Sequence, residues 1–246
     1  MPRTALVTGA NRGIGLEFVR QLLARGDHVV AACRHPGKAA SLNSLACEHP
    51  GRLHVLPLDV ADAKSRARLA HELPLVLGER EDGTPGTLDL LVNNAGVLHS
   101  GERFGHVEPS VLEDSLRINA IGPFLLSQAL APLLLDVVDA TSFRTVIANI
   151  SSQLGSIANT TRFGTPSYDI SKAAQNMGSV LLARALADRG IVVLALHPGW
   201  VQTEMGGAQA QVAPADAVTG LLRVIDAATQ AQSGSFIDWR GEPLPW

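Results

Sequence analysis

Cysteine, tyrosine and net charge are all scarce in this sequence. Its 246 residues hold two cysteines, Cys33 and Cys47, which form no C-x-x-C pair, and no H-E-x-x-H occurs. Neither a disulfide framework nor a zinc site is expected, and two unpaired thiols fit a reducing, cytoplasmic setting. The formal charge of -3 offers no basic face to nucleic acid or to an acidic membrane. The opening Met1-Pro2-Arg3-Thr4 lacks the apolar core of a secretion signal. A long uncharged stretch, Ala120 to Leu135, is interrupted by Pro123, Ser127, Gln128 and Pro132. It is too short and too broken to span a bilayer and reads as a buried helix. The one tyrosine is Tyr168.

What is present is apolar material in a regular rhythm. Hydrophobic residues make up 46% and charged residues 17%, enough for a sizeable core. Arg3–Thr8, His28–Cys33, Arg52–Leu58, Leu88–Asn93, Arg144–Ile150, Ile191–His197 and Ser235–Asp238 read as strands. Between them Gly13–Arg25, Lys38–Ala46, Asp62–Gly78, Glu108–Ile118, Ile121–Asp139, Thr165–Arg189 and Ala215–Ala231 read as helices. That alternation implies right-handed crossovers and a parallel sheet covered on both faces. No repeat or linker interrupts it, and Glu81–Gly86 is turn chemistry between a helix and a strand. The expectation is one doubly wound α/β domain over residues 1–246, with a seven-stranded parallel sheet. In such folds ligands bind at the carboxyl ends of the strands.

The first strand runs into Thr8-Gly9-Ala10-Asn11-Arg12-Gly13-Ile14-Gly15 and then a helical pattern. Glycines there permit a tight turn and let backbone and a helix N-terminus approach a pyrophosphate. The spacing is G-x-x-x-G-x-G, a variant of the dinucleotide fingerprint, and its place after the first strand makes a dinucleotide site the better reading. Gly9, Asn11, Arg12, Gly13, Ile14 and Gly15 are the expected cofactor contacts. An NAD site wants a carboxylate at the end of the second strand. This chain has Ala32-Cys33-Arg34-His35 instead. Arg34, with Arg12, could pair with a 2′-phosphate, which favours NADP(H).

Tyr168-Asp169-Ile170-Ser171-Lys172 opens a long helical pattern. Residues four apart share a helix face, and a nearby cation favours the charged form of a phenol whose free pKa is about 10. The pair is thus a candidate acid/base group. Y-x-x-x-K alone is a frequent accident, and its context decides. With Thr8-Gly9-x-x-x-Gly13-Ile14-Gly15, Asn93-Asn94-Ala95-Gly96, Asn119, Ser151-Ser152, Tyr168-x-x-x-Lys172 and His197-Pro198-Gly199 in order, the chain resembles the short-chain dehydrogenase/reductase family over essentially its whole length. Asn149–Ile157 and Gly234–Trp246 look like the corresponding segments of C-factor and sniffer-type carbonyl reductases.

The resemblance implies an enzyme that moves hydride between NADP(H) and a small carbonyl or alcohol. Tyr168 would protonate the carbonyl oxygen and Lys172 would lower the phenol pKa and bind the nicotinamide ribose. Ser152 would hold the substrate oxygen, leaving Ser151 structural, and Asn119 would anchor a relay water. Ser152 and Tyr168 stand 16 positions apart, somewhat more than is common in the family, with the excess assigned to the polar loop Ala158–Gly164. Asp59 and Val60 would flank the adenine, and Asn94, Ala95 and Gly96 would line the adenosine side. Asn93 reads almost equally well as a structural strand end. Pro198, Gly199, Val201 and Thr203 would meet the nicotinamide, and His197 reads as a packed histidine. The apolar helices Ile121–Asp139 and Thr165–Arg189 would pack against a second subunit, giving a homodimer or homotetramer, although a monomer that buries them internally is equally compatible with the composition.

The loops Leu98–His106, Gln153–Phe163 and Met205–Gln211 are the candidate substrate walls. A second reading is a C-factor-like signalling or regulatory protein on the same scaffold. The full set Asn119, Ser152, Tyr168 and Lys172 argues for the enzyme, since binding alone has no need of those side chains. A methyltransferase is disfavoured by the lack of an acid at Cys33, and an epimerase or dehydratase by the lack of chain for a substrate domain.

Overall fold

Aliphatic and β-branched residues run unbroken through seven short segments, and these segments join one parallel sheet. The computed structural model describes residues 2–79, 83–136 and 145–246. Its strands are β1 (Thr4–Thr8), β2 (His28–Cys33), β3 (Leu53–Pro57), β4 (Leu90–Asn93), β5 (Val146–Ile150), β6 (Val192–His197) and β7 (Ser235–Asp238). They lie in the order β3-β2-β1-β4-β5-β6-β7, and all neighbours pair in parallel. This is the expected seven-stranded doubly wound sheet. The helices are α1 (Gly13–Ala24), α2 (Ala40–Glu48), α3 (Ala63–Leu77), α4 (Pro109–Leu116), α5 (Gly122–Leu130), α6 (Pro166–Ala185) and α7 (Pro214–Asp226).

Parallel strands need crossovers, so helices cover both faces and both side-chain sets are buried. In β6, Val192, Leu194 and Leu196 enter the layer beneath α1 and α7, while Val193 enters the layer beneath α3, α5 and α6. All four are fully buried, and burying each such side chain contributes about 1.5–3 kcal/mol. The strand order reverses between β1 and β4. The crevice at their carboxyl ends is where a ligand is expected.

Four expectations about helices change, the simplest being the helix expected over Thr165–Arg189, which stops at Ala185 before a 3-10 turn at Ala187–Arg189. The helix expected over Ile121–Asp139 ends at Leu130, followed by a 3-10 turn at Ala131–Leu133. Pro132 offers no backbone N–H to continue it, and Leu134 instead bridges Leu88. Residues 137–139 of that expected helix lie outside the described residues, as do Arg144 of the expected fifth strand and Glu81 and Asp82 of the expected turn. The last expected helix, Ala215–Ala231, stops at Asp226, and a separate 3-10 turn covers Gln230–Gln232. Finally, α4 and α5 are joined by a π-helical turn, Arg117–Ile121, with Asn119 at its middle. A widened turn of this kind re-aims side chains and is frequent at functional sites. Gly122 follows it because a Cβ there would stand 2.7 Å from the Val60 carbonyl oxygen.

No helix among the described residues is long and apolar enough to cross a membrane. The returning chain covers the sheet edge at β7, with Asp238 N donating to the Glu242 carbonyl at 2.8 Å and Leu244 N to the Phe236 carbonyl at 2.8 Å, and α7 packs against Trp239 just beyond that strand. A Cβ at Gly220 of α7 would stand 2.2 Å from the Trp239 carbonyl oxygen. Gly220→Ala therefore forces α7 away from Trp239 and is expected to destabilise the fold by about 1–3 kcal/mol. Urea unfolding followed by circular dichroism measures this, and an unchanged midpoint would show that the contact relaxes freely.

Candidate active site

The turn after β1 is shaped by what glycine permits. Gly9 and Gly13 have φ of +63° and +53°, and a Cβ on Gly15 would stand 2.4 Å from the Gly9 carbonyl oxygen. The turn is tied across the switch point to the end of β4. The Asn94 amide donates to the carbonyls of Thr8 (2.9 Å) and Gly9 (3.2 Å), and the N–H groups of Asn94 and Ala95 both donate to Thr8 Oγ1 at 3.0 Å. Helix α1 starts at Gly13 with neither a side-chain cap nor an acidic residue in its first turn. Its first N–H groups and dipole are thus available to an anion. Backbone cradle and helix end together fit a dinucleotide pyrophosphate.

The two arginines expected at the cofactor phosphate are placed differently. Arg34 is exposed at the end of β2. Arg12 instead pairs with Glu204 in the loop after β6, so the glycine turn and that loop meet over the crevice. Gly13 lies in the same contact, since its Cβ would come 3.3 Å from the Thr203 methyl. Asn11 is exposed, and Ile14 packs down onto the core rather than outward. Asp59 uses its carboxylate on the Ala61 N–H at 2.9 Å, and the Val60 carbonyl accepts from Arg66 at 2.6 Å. Pro198 and Val201 are buried beside the half-exposed Gly199 and Thr203. Trp239 supports this turn, because a Cβ on Gly199 would stand 2.9 Å from Trp239 Nε1.

Ser152, Tyr168, Lys172 and Asn119 come together beside this crevice. Ser152, two residues past the end of β5, opens a 3-10 turn, its Oγ accepting from Leu154 N at 3.2 Å, and it hydrogen-bonds the Tyr168 phenol. The turn is pressed onto α6 so closely that a Cβ at Gly155 would stand 2.7 Å from the Lys172 carbonyl carbon. One helical turn past Tyr168, the Lys172 ammonium donates to the Ile150 carbonyl at 2.8 Å and to Gln175 Oε1 at 2.9 Å. It stands 5.5 Å from the centre of the Tyr168 ring. Asn119 brackets the Val97 backbone with two 2.8 Å bonds, and its amide also donates to Ser171 Oγ at 2.9 Å. Gly96 lies between them: its Cβ would stand 3.2 Å from Asn119 Oδ1 and 3.8 Å from Lys172 Nζ. Ser151 turns the other way and donates to Asn176 Oδ1 at 2.6 Å.

Electrostatically the pair departs from the simple expectation that Lys172 lowers the phenol pKa. Tyr168 is pushed up to about 12, mainly by burial and slightly by Asp169, against the lowering effect of the Ser152 hydrogen bond. Burial pushes Lys172 down to about 7. Desolvation disfavours the charged form of each, and the ammonium's hydrogen bonds go to Ile150 and Gln175 rather than to the phenol. His197 is the packed histidine expected, accepting from Gln153 N at 3.2 Å, and burial holds it down to about 4.

Two residues at the site escaped the sequence reading. Gln175 is buried, and its Nε2 has no acceptor among the described residues, an arrangement that costs about 1–3 kcal/mol. Its position three residues after Lys172 on one helix face was the available signal. Glu102, in the loop after β4, accepts from Ser167 Oγ at 2.5 Å and Ser167 N at 3.2 Å. It thereby caps the start of α6, where Thr165 makes no side-chain cap. No local pattern marks Glu102, because its partner is 65 residues away.

The single tyrosine and the three lysines, Lys38, Lys64 and Lys172, make the site directly titratable. In the cofactor-free protein the phenol absorbance is expected to titrate near pH 12 and one 13Cε-lysine resonance near pH 7. A phenol midpoint near 10 together with a Lys172 midpoint near 10.4 would show that burial does not govern the pair.

The model for the short chain dehydrogenase family matches residues 3–213. The C-signal protein of Myxococcus xanthus is 40% identical over 161 residues, which is 65% of this chain and 94% of that one. An NADPH-bound carbonyl reductase from chicken fatty liver is 37% identical, with TM-score 0.91 over 100% of this chain and 99% of that one. The carbonyl reductase Sniffer of D. melanogaster is 31% identical, with TM-score 0.92 over the whole of both chains. With a parallel sheet reversing between β1 and β4, a glycine turn at the reversal and a tyrosine one turn from a buried lysine, the chain belongs to the short chain dehydrogenase family.

Proposed function

We propose that the protein is an NADP(H)-dependent oxidoreductase that reduces a carbonyl to an alcohol. The observation that carries the reading is the convergence of the Ser152 hydroxyl, the Tyr168 phenol and the Lys172 ammonium at the carboxyl end of the sheet. Bound across the switch point, the nicotinamide cofactor supplies the hydride. The chain's own residues do the rest. The Tyr168 phenol gives its proton to the carbonyl oxygen as charge develops there, and Ser152 donates a hydrogen bond to the same oxygen. A phenol held protonated to about pH 12 is in the right state for that role at neutrality. Lys172 holds the nicotinamide ribose and supports the phenolate left behind. Asn119 fixes Val97 and the Ser171 face of α6. Both N–H groups of its amide are taken, so a relay water would donate to its Oδ1 or to its main-chain carbonyl.

Arg34 is the exposed guanidinium suited to a 2′-phosphate, and the similar chicken reductase is described as NADPH-bound. The site mouth is apolar. Phe104, Ile157 and Phe163 are 85%, 76% and 53% exposed, and Phe104 and Phe163 meet edge to face at 5.7 Å. The substrate class we favour is a carbonyl with a bulky apolar body. The protein is read as one domain in a reducing, cytoplasmic setting, with Cys33 and Cys47 free. A second reading, a signalling or regulatory role, is favoured by the C-signal similarity.

A carbonyl panel with NADPH and NADH side by side tests the enzyme reading. Turnover with NADPH is expected to rise with the apolar size of the carbonyl. Tyr168→Phe should lose at least about 10²-fold in kcat while NADPH fluorescence still reports binding, and Arg34→Asp should shift preference towards NADH. Undiminished turnover in Tyr168→Phe would sink the mechanism, and a panel without any turnover favours the signalling role.

The assembly is proposed as a homodimer through α6. Ile170, Met177 and Leu181 are half exposed or more and recur at helical spacing on one face, near exposed Ile121. Sedimentation should give a dimer for the parent chain and a monomer for Met177→Glu. A parent chain that sediments as a monomer removes this part of the reading.

A further inference from the structure

Gln175 is a polar residue in a place that does not need one for folding. It lies on the buried face of α6, 4% exposed, beside a lysine that is also 4% exposed. Its Oε1 takes one N–H of the Lys172 ammonium at 2.9 Å, and the Ile150 carbonyl takes a second at 2.8 Å. A lysine ammonium has three N–H groups, so this parking arrangement leaves one free for a partner. The Gln175 backbone is held as well, its carbonyl accepting from Ser179 Oγ at 2.9 Å. Its other amide end, Nε2, has no acceptor among the described residues. A packing role would be filled as well by an apolar side chain of the same length, without leaving a buried N–H unpaired.

We propose that Gln175 is a positioning residue for Lys172, its carboxamide oxygen holding the ammonium charged and aimed at the Tyr168 side of the site. The proposal rests on the reading of Lys172 as the working partner of Tyr168. A carboxamide has an acceptor end and a donor end at similar reach. Facing an ammonium it presents Oε1; facing a neutral amine, a half-turn of the amide presents an Nε2–H to the nitrogen lone pair. Gln175 can therefore meet Lys172 as acceptor or as donor, whereas a carboxylate can only accept and an aliphatic residue does neither. No covalent step is involved; the lysine proton leaves to solvent or to the phenolate, and the amide turns.

The groups around Lys172 leave this role to Gln175. Tyr168 is the titratable side chain whose ring meets it. Glu102 and Asp169 lie at the N-terminal end of α6 and engage Ser167 and Thr165. His197, at the end of β6, is neutral above about pH 4, and its neighbour Asp238 is bonded to Arg240. The turn after β5 and the π-helical turn bring Ser152 and Asn119, which are uncharged. Burial is what pulls Lys172 down to about 7, and a hydrogen bond to the charged form opposes that pull.

The experiment titrates the 13Cε-lysine resonances of the cofactor-free protein, with Lys172 assigned by elimination using Lys38→Arg and Lys64→Arg at two exposed positions. Gln175→Met keeps the length and removes the acceptor. Its Lys172 midpoint should fall by about one to two pH units, the size set by one hydrogen bond to a charged group. Gln175→Glu should raise the midpoint. NADPH affinity, followed by fluorescence across the same pH range, should weaken at correspondingly lower pH in Gln175→Met. A Lys172 midpoint that stays within about 0.3 unit of the parent in both variants overturns the proposal, whatever happens to the melting temperature. Because no substrate is present, a parent protein without reductase activity would count against the functional reading and leave this result separately readable.

Discussion

A lysine ammonium placed where water does not reach is the constraint around which the rest of the site is arranged. Lys172 is 4% exposed, and a buried charge is stable only when its donors are satisfied. The Ile150 carbonyl does this because β5 ends there and its next ladder partner is missing; Gln175 does it from the same helix. The turn that carries Ser152 is then fixed, since it must lie flat enough on α6 that only glycine fits at position 155. Ser152, Tyr168 and Lys172 are therefore not three independent placements. One close helix–turn contact sets the spacing of all three.

Beneath that contact runs a polar chain that holds the sheet and α6 in register. Ser127 on α5 and Asn149 on β5 both accept from the Asn93 amide, at 3.0 and 2.8 Å, and Asn149 donates to Ser179 on α6 at 2.8 Å. Ser179 in turn donates to the Gln175 carbonyl. Such a network is costly unless its members are bonded, and when they are it specifies one packing. Here it specifies the rotation of α6 about its axis. The same rotation aims Lys172 and Gln175 inward and leaves Ile170, Met177 and Leu181 outward.

Features written in local spacing were legible in the sequence, and those made by distant segments were not. Tyr168 and Lys172 are four apart on a helix, and the glycine turn follows a strand directly, so local spacing makes each a candidate and the order of the motifs along the chain decides between candidate and accident. Strand positions were equally plain because a strand buried on both faces is a bare apolar run. The helix expected to continue to Asp139 was overextended, because an apolar run hides the weak stop supplied by Pro132. The π-helical turn at Asn119 was invisible, since one widened turn barely disturbs hydrophobic periodicity. The pairing of Arg12 with Glu204 joins residues 192 positions apart, so no local pattern announces it. Ser152 was found through the resemblance, not through spacing to Tyr168.

The same burial that shapes the chemistry also sets how the fold responds to pH. The folded state releases the Lys172 proton near pH 7, whereas an unfolded lysine keeps it to about 10.4. Below about 7 the folded protein thus carries the full cost of a buried ammonium, and between about 7 and 10.4 stability from this group rises with pH. Tyr168 acts in the opposite sense. Its folded pKa is raised to about 12, so its preference for the folded state is complete below about 10 and is lost as pH climbs through 12. At neutrality the phenol favours the fold while the ammonium opposes it. A bound anionic cofactor that takes the third ammonium N–H would offset that cost, so the dinucleotide should stabilise the fold most at or below pH 7, where the ammonium is charged. The acid/base pair is in this sense incomplete without its cofactor, and the sheet, the pressed turn and the polar chain are what hold it in waiting.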